Sequence, residues 1–315
     1  MRALRLHGPG DLRLEDVPEP TPAEGDVLVQ VEVALTDGTD LKAYRRGHPV
    51  LLGPPPSPFG HEVCGIDVAT GGRMVAANSA PCGACAACAR GQETLCEHLF
   101  PLLNGAYAEL LLVPVRIAQT NLLSVPPGLA PEVAAMAEPL ACCLHGVDVA
   151  GVQRGDTVAV VGLGPIGLML CACVADAGGN PVGVGSREER RALASSFGAG
   201  ASDPEGADVV IEAAGTVEAW ERALELVRPG GTVLAFGGLP REARVSVDPY
   251  RIHYEEVRLA GSFHHTPRQF RAALAFLASG AYPFERLVTH EVALEGVAAL
   301  FDEPPRDYLK AAVRP

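Results

Sequence analysis

Lysine is almost absent from this chain of 315 residues, since only Lys42 and Lys310 among its 25 basic residues are lysines. Basic charge is scarce as well, because 38 acidic residues leave a net charge of −13. This balance argues against a nucleic acid or an anionic membrane as the main partner. With 48% hydrophobic and 20% charged residues, the composition also excludes wholesale disorder.

Long apolar runs are the second absence. Gly, Pro or charge interrupts the most apolar stretches well short of the ~20 residues that a membrane span requires. No basic segment followed by an apolar one stands at the N-terminus, so we see no signal peptide. These absences predict a soluble, cytoplasmic protein, and its length predicts two domains at roughly 100–200 residues each.

Cysteine, in contrast, is plentiful and clustered. Four of the nine cysteines lie within 15 residues in the pattern C-x2-C-x2-C-x7-C, at Cys82, Cys85, Cys88 and Cys96. Disulfides are rare in the cytosol, whereas four close thiolates suit a tetrahedral Zn²⁺ with no open position. The pattern predicts a structural zinc within residues 82–96, with an iron–sulfur cluster as the alternative.

The pattern of apolar residues changes along the chain. Residues 27–33 (VLVQVEV) alternate as a half-buried strand does, and the first ~115 residues are predicted to be rich in strands. From about residue 139 onward, predicted strands and helices alternate, with the strands at 157–161, 181–184, 208–211, 232–236 and 257–260. Such alternation predicts βαβ units and a parallel sheet. A helix at 267–279 and two short strands follow.

A glycine-rich turn, GLGPIG, comes directly after the predicted strand 157–161 and opens a helix. In this context the first glycine permits a tight turn, the second lets the backbone approach a pyrophosphate, and the third lets the helix pack closely on the strand. The phosphates then face the helix N-terminus. We therefore predict a Rossmann-type dinucleotide site at Gly162, Gly164, Pro165, Ile166 and Gly167.

The end of the next predicted strand distinguishes the two common dinucleotides. An NAD site usually has Asp or Glu there, about 20 residues on, to bind the ribose 2′-hydroxyl. This chain has Gly185, Ser186 and Arg187, followed by Arg190 and Arg191 one helical turn later. Because a hydroxyl and a guanidinium replace the carboxylate, the segment favours NADP(H) over NAD(H).

Taken together, these motifs resemble the zinc-containing medium-chain dehydrogenases, specifically the branch of sorbitol, glucose and threonine dehydrogenases. The resemblance covers essentially the whole chain and includes the four-cysteine loop, GLGPIG, DGTD (37–40), GHE (60–62), AEPLACCLHGV (137–147) and LKAAVRP (309–315). It implies a GroES-like β-barrel catalytic domain at 1–140 and 264–315. A Rossmann domain with a doubly wound parallel sheet is implied at 141–263.

The resemblance also implies a catalytic metal in the cleft between the domains. Its ligands would be Asp37, His61 and Glu138, with Glu62 as a further ligand or a close neighbour. Asp37 is the main departure, because the family usually has cysteine at this position. A carboxylate in place of the thiolate makes the site harder, so Mn²⁺ and Mg²⁺ join Zn²⁺ as candidate ions.

Three more residues acquire roles from the same resemblance. Asp40 matches the carboxylate that fixes the tautomer of the metal-binding histidine, and Thr39 matches the hydroxyl of the proton relay. Lys42 stands where the family often has a histidine that passes the proton to solvent. Because lysine is so rare here, Lys42 indicates a need that is specific to an ammonium. Either the ammonium loses its proton, which arginine cannot do, or it donates hydrogen bonds to the ribose or to substrate hydroxyls.

These assignments predict metal-assisted hydride transfer between NADP(H) and a polyol, sugar or secondary alcohol, with NAD(H) as the weaker coenzyme. They also predict a homo-oligomer, a dimer or tetramer, with neither nucleic acid nor membrane as partner. A zinc-lacking NADPH:quinone-type reductase and a non-catalytic NADP-binding protein remain as alternatives. Metal content separates them, because two ions per chain favour the metal-dependent enzyme and one favours either alternative.

Overall fold

The structure, a computed structural model, describes residues 1–47, 52–200 and 204–315. These residues form two compact units. The discontinuous unit consists of Met1–Ala141 and Thr266–Pro315, and the inserted unit consists of Cys142–His265. The chain therefore leaves the first unit, completes the second, and returns to the first.

The elements follow this order. The strands of the first segment are β1 (Arg2–Gly8), β2 (Asp11–Asp16), β3 (Val27–Leu35), β4 (Ser57–Pro58), β5 (Glu62–Asp67), β6 (Arg73–Ala76), β7 (Leu110–Val113) and β8 (Leu122–Ser124). Its helices are α1 (Gly38–Arg46), α2 (Ala86–Ala89), α3 (Val115–Asn121), α4 (Pro131–Ala134) and α5 (Ala137–Ala150), which runs on into the inserted unit. The inserted unit contains β9 (Thr157–Val161), α6 (Pro165–Asp176), β10 (Asn180–Val184), α7 (Glu188–Ser195), β11 (Ala207–Glu212), α8 (Val217–Leu226), β12 (Val227–Ala235), α9 (Pro249–His253) and β13 (Arg258–Gly261). The returning segment contains α10 (Pro267–Ala278), β14 (Val288–Ala293), α11 (Val297–Asp302) and β15 (Lys310–Arg314).

The main sheet of the discontinuous unit has the strand order β14-β15-β3-β5-β6-β8, and β7 also pairs with β3. In β3 the exposed Gln30 lies between the buried Val29 and Val31, which is the alternation that the sequence predicts. Strand β15, from the returning segment, runs antiparallel to β3. The sheet thus holds β15 beside the end of β3, where a candidate metal ligand, Asp37, follows.

The inserted unit is built on a parallel sheet with the order β10-β9-β11-β12-β13. Strand β9 has the predicted bounds and is buried along all but its first residue, as a strand covered on both faces should be. The predicted parallel sheet is confirmed. Because β10 and β11 lie on opposite sides of β9, a crevice opens at the carboxyl ends of these strands, where such sheets bind ligands.

One helical stretch of the chain is both long and apolar on average. The helical residues Pro131–Ala150 are long and apolar enough, by length and composition alone, to cross a membrane. Glu138, Pro139, Gly146 and Asp148 nevertheless interrupt this stretch, as the sequence predicts, and Pro139 lies in the first turn of α5, where proline is tolerated. Within the structure, 72% of the most apolar part of this stretch is buried, as in a core helix.

Candidate metal and dinucleotide sites

Asp37 lies at the start of helix α1 and uses its two carboxylate oxygens differently. As the N-cap residue, it accepts a hydrogen bond on Oδ1 from the backbone N–H of Asp40 at 2.7 Å. Its Oδ2 lies 3.8 Å from Nε2 of His61. One oxygen therefore caps the helix, and the other is turned toward the imidazole.

His61 precedes strand β5 and lies between two carboxylates. Its Nδ1 is 3.2 Å from Oδ1 of Asp40, which is itself buried in α1. The other oxygen of Asp40 accepts a hydrogen bond from the hydroxyl of Tyr107, a fully buried residue that the sequence analysis did not single out. Asp40 thus holds Nδ1 and leaves Nε2 directed toward Asp37, as in a metal-binding histidine.

The charges of this cluster favour a cation. Burial lowers the pKa of His61, but Asp40 and Asp37 raise it well above its ordinary value. The pKa of Asp40 is raised by burial and then by the charge of Asp37. Burial also acts to raise the pKa of Asp37, but His61 and Lys310 lower it overall. The buried carboxylate of Asp40 and the largely buried one of Asp37 therefore need positive charge beside them.

Glu62, the first residue of β5, is fully buried and pairs with Lys310. The Nζ atom of Lys310 lies 2.7 and 2.6 Å from the two carboxylate oxygens of Glu62, and 3.2 Å from the carbonyl oxygen of Thr36. Ligand atoms of Asp37, His61 and Glu62 all lie within 4.8 Å of one another. Glu62 was predicted from its motif, whereas Lys310 was not, although the scarcity of lysine was a signal for both lysines.

The remaining predicted residues of this site lie on two helices. Glu138 is buried in the first turn of α5, close enough for its charge to raise the pKa of His61. Thr39 and Lys42 both lie half-buried on α1. The structure therefore gathers Asp37, Glu62 and Glu138 around His61. Carboxylate oxygens and one imidazole nitrogen are donors that fit a hard or borderline divalent cation.

The cysteine loop fits a zinc ion of its own. The sulfur atoms of Cys82, Cys85, Cys88 and Cys96 lie within 4.8 Å of one another, and Cys85 Sγ is 3.9 Å from Cys96 Sγ. Sulfurs about 2.3 Å from a tetrahedral Zn²⁺ are roughly 3.8 Å apart. All nine cysteines lie in the described part of the chain, and no disulfide joins any of them. Backbone N–H groups of Cys88 and Glu97 lower the pKa of Cys85 to about 6, which favours the thiolate that a metal binds.

The glycine-rich turn lies at the carboxyl end of β9. Gly162 has a φ of 101°, and a side chain there would collide with Ala214. A Cβ atom on Gly167 would lie 1.8 Å from the carbonyl oxygen of Gly162. Nothing lies within 4 Å of a Cβ atom built on Gly164, the N-cap residue of α6. The outer glycines are thus required by packing, and the middle one leaves space in which a pyrophosphate fits.

The loop after β10 provides positive charge at the same edge of the sheet. Arg191 donates a hydrogen bond from Nη1 to the carbonyl oxygen of Gly185 at 2.8 Å. Burial lowers the pKa of Arg190, and the nearby charge of Arg187 lowers it further. Ser186 is exposed beside them. Two guanidinium groups that repel each other next to a hydroxyl suit a phosphate group.

Glu212, at the end of β11, is a site residue that the sequence analysis missed. It is fully buried, and its Oε1 accepts hydrogen bonds from the backbone N–H groups of Ala214 at 2.8 Å and Gly215 at 2.6 Å. Because Ala214 packs against Gly162, Glu212 fixes the loop that borders the glycine-rich turn. A carboxylate at the carboxyl end of the neighbouring parallel strand was the available signal.

Comparisons with known proteins identify the family. Residues 23–126 match the alcohol dehydrogenase GroES-like domain, and residues 165–279 match the zinc-binding dehydrogenase domain. D-altritol 5-dehydrogenase from Agrobacterium fabrum is 31% identical, with 98% of this chain and 97% of the relative covered. The chain belongs to the zinc-type medium-chain dehydrogenases.

Other members agree with this assignment. Sorbitol dehydrogenase from Halalkalibacterium halodurans is 29% identical, and the match covers 92% of each chain. A crystal structure of a zinc-binding dehydrogenase from Sinorhizobium meliloti, bound to NADP, is 32% identical with a TM-score of 0.89, and covers 100% of this chain and 99% of that one. The predicted family and the predicted GroES-like and Rossmann folds are confirmed. As a zinc-type medium-chain dehydrogenase, the protein is an oxidoreductase that uses a nicotinamide cofactor.

Proposed function

We propose that this dehydrogenase is metal-dependent and transfers a hydride between NADP(H) and a polyol, sugar or secondary alcohol. The observation that carries the proposal is the arrangement around His61, in which Asp40 holds Nδ1 while an oxygen of Asp37 lies 3.8 Å from Nε2. Buried Glu138 adds a third donor. Such a set holds a divalent cation, and a site of three protein ligands keeps a position for substrate.

A cation held there would lower the pKa of the substrate hydroxyl. Thr39 then receives the proton that the hydroxyl loses, and Lys42 passes it to solvent. A nicotinamide bound at the glycine-rich turn would accept a hydride at C4 from the substrate carbon, so that NADP⁺ would be reduced and the alcohol oxidised to a carbonyl compound. Asp40 keeps the imidazole of His61 in one orientation throughout, because it holds Nδ1.

The preference for NADP(H) over NAD(H) has separate support in the inserted unit. The strand β10 ends at Gly185 without a carboxylate, and Ser186, Arg187 and Arg190 follow. The Sinorhizobium meliloti relative was crystallised with NADP. A 2′-phosphate would reduce the repulsion between Arg187 and Arg190, whereas the 2′-hydroxyl of NAD(H) would not.

The substrate class, assembly and location are proposed on weaker but specific grounds. Two relatives are named for sorbitol and D-altritol, which are open-chain polyols. Nine described cysteines without a disulfide suit the reducing cytoplasm. Strand β13 pairs only with β12 within the described part of the chain, and Leu259 on it is 42% exposed, which favours a homo-oligomer, a dimer or tetramer.

The decisive experiment combines metal content with an activity screen. Polyols, aldoses and secondary alcohols are offered with NADP⁺ to protein that holds two metal ions per chain. The His61→Ala variant should lose nearly all activity while it keeps its fold and the zinc of the cysteine loop. The exposed His253 of the inserted unit provides a matched control, since His253→Ala should retain activity. If chelation removes the second ion without slowing the reaction, the proposed mechanism is wrong.

A further inference from the structure

The ion pair of Lys310 and Glu62 engages every donor of the ammonium and both oxygens of the carboxylate. An ammonium has three N–H donors, and the three acceptors around Nζ, at 2.6–3.2 Å, are both oxygens of Glu62 and the carbonyl oxygen of Thr36. Both side chains are buried, with exposures of 1% and 0%. Lys310 therefore donates a hydrogen bond to each carboxylate oxygen of Glu62, and solvent does not reach the pair.

The backbone holds this pair rigidly. Strand β3 lies between β15 and β5, with Leu35 paired to Ala312 on one side and to Glu62 on the other. Thr36 also makes two hydrogen bonds with β15, because its backbone N–H donates to the carbonyl oxygen of Ala311 and its side-chain Oγ1 accepts from the N–H of Ala311. Lys310 is thus fixed by the sheet.

Without Lys310, Glu62 would be well placed to bind a metal. It directly follows His61, and its oxygens lie within 4.8 Å of ligand atoms of His61 and Asp37. A buried carboxylate deprived of its ammonium needs another cation, and a divalent ion beside His61 is the nearest one available. Four protein ligands would then close the site, as in structural zinc sites.

We infer that Lys310 is a positioning residue that holds Glu62 off the metal and so reserves one coordination position for the substrate oxygen. The inference rests on the proposed function, since it requires a metal at Asp37, His61 and Glu138. It assigns Glu62 and Lys310 a joint role in setting the number of ligands.

The test measures metal affinity rather than activity alone. Protein that keeps the zinc of its cysteine loop but lacks the exchangeable ion is titrated with Co²⁺ against a competing chelator, and the visible absorption of Co²⁺ reports its coordination. Lys310→Met should bind Co²⁺ at least tenfold more tightly than the unmodified protein, with an altered spectrum and a lower kcat. The double variant Glu62→Gln with Lys310→Met should return to the unmodified affinity within about threefold.

Several outcomes overturn the inference. Unchanged or weaker binding in Lys310→Met does so, and so does a tenfold loss in the double variant, because Glu62 would then be a ligand already. If Lys310→Met fails to fold, the Co²⁺ affinity of the double variant alone tests the inference. The double variant is expected to fold, because exchanging a buried ion pair for neutral groups leaves no uncompensated charge. If the unmodified protein binds no Co²⁺ at the exchangeable site, the proposed function itself fails and this inference with it.

Discussion

Two carboxylates beside His61 each contact two different groups. Asp37 caps α1 with one oxygen and faces His61 with the other, and Asp40 joins His61 to Tyr107. Such sharing fixes the donor atoms before any ion arrives, because each carboxylate is oriented by a second contact. At the residue scale, the site is therefore preorganised by hydrogen bonds within the discontinuous unit.

Arg187 is the residue whose replacement tests coenzyme choice. We expect Arg187→Ala to lower kcat/KM for NADP⁺ by roughly 10- to 150-fold, because a charge-assisted hydrogen bond contributes about 1.5–3 kcal/mol. The value for NAD⁺ should change little. Arg191→Ala is the matched control: it frees the backbone of Gly185 and should affect both coenzymes alike. Equal kinetics of the unmodified protein with NAD⁺ and NADP⁺ would remove the basis of this prediction.

Lys42 tests the proton relay. Lys42→Arg keeps the charge but removes the ability to lose a proton, so we expect a lower kcat or a shifted pH profile, and a larger effect in Lys42→Ala. Steady-state rates measured from acid to alkaline pH provide the readout. Arg45→Lys, at an exposed position on the same helix, is the control and should leave both rate and profile unchanged. An unaltered Lys42→Arg enzyme would make Lys42 an ordinary surface residue.

At the scale of elements, the cysteine loop is expected to contribute stability rather than chemistry. Cys88→Ser removes one of four zinc ligands, so it should lower Tm by several degrees and release the zinc on dialysis, while the remaining folded protein keeps its activity. Calorimetry and metal analysis check this. Cys142→Ser, which removes a thiol outside the loop, should retain the zinc. An iron–sulfur absorption band, or no metal with all four cysteines intact, contradicts the prediction.

Local pattern predicted some elements well and was silent on others. The strand at 157–161 was predicted within its observed bounds, because a short apolar run followed by GLGPIG is unambiguous. The strand predicted at 232–236 overlaps β12, which runs from Val227 to Ala235. The first half of β12 was not predicted, because Gly230 and Gly231 interrupt its apolar pattern. Helix α1 was not predicted at all, since its sequence is mostly polar and its clearest signal is the cap of Asp37.

The candidate metal site was predictable only where motifs mark it. His61 and Glu138 belong to motifs that the family shares, and Asp37 stands at the position of the family's cysteine, so each could be named from the sequence. Lys310 could not be paired with Glu62, because 248 residues separate them and only the pairing of β15 with β3 brings them together. Lysine scarcity drew attention to Lys42, yet the fully buried lysine is Lys310. The pairing of strands that are far apart in sequence produces no periodic pattern of residues from which it could be predicted.

At the scale of the whole molecule, we expect self-association through the inserted unit. Its parallel sheet ends at β13, whose Arg258 and Leu259 are exposed, and exposed edge strands readily pair with another chain. Leu259→Glu should therefore shift the protein toward smaller species in light scattering. Val68→Glu, a charge placed at an exposed position of the discontinuous unit, is the control. A monomeric unmodified protein would refute the expectation.

The late position of Lys310 has a consequence for biosynthesis. A growing chain makes Glu62 and His61 early, but the ammonium that neutralises Glu62 arrives only with β15. All strands of the inserted sheet have been synthesised by then, whereas the sheet of the discontinuous unit still lacks the strand between β14 and β3. We expect the inserted unit to fold first on the ribosome. Until translation reaches residue 310, Glu62 is a carboxylate without its ammonium, so a metal ion that arrives early meets a different set of ligands from the one in the finished protein.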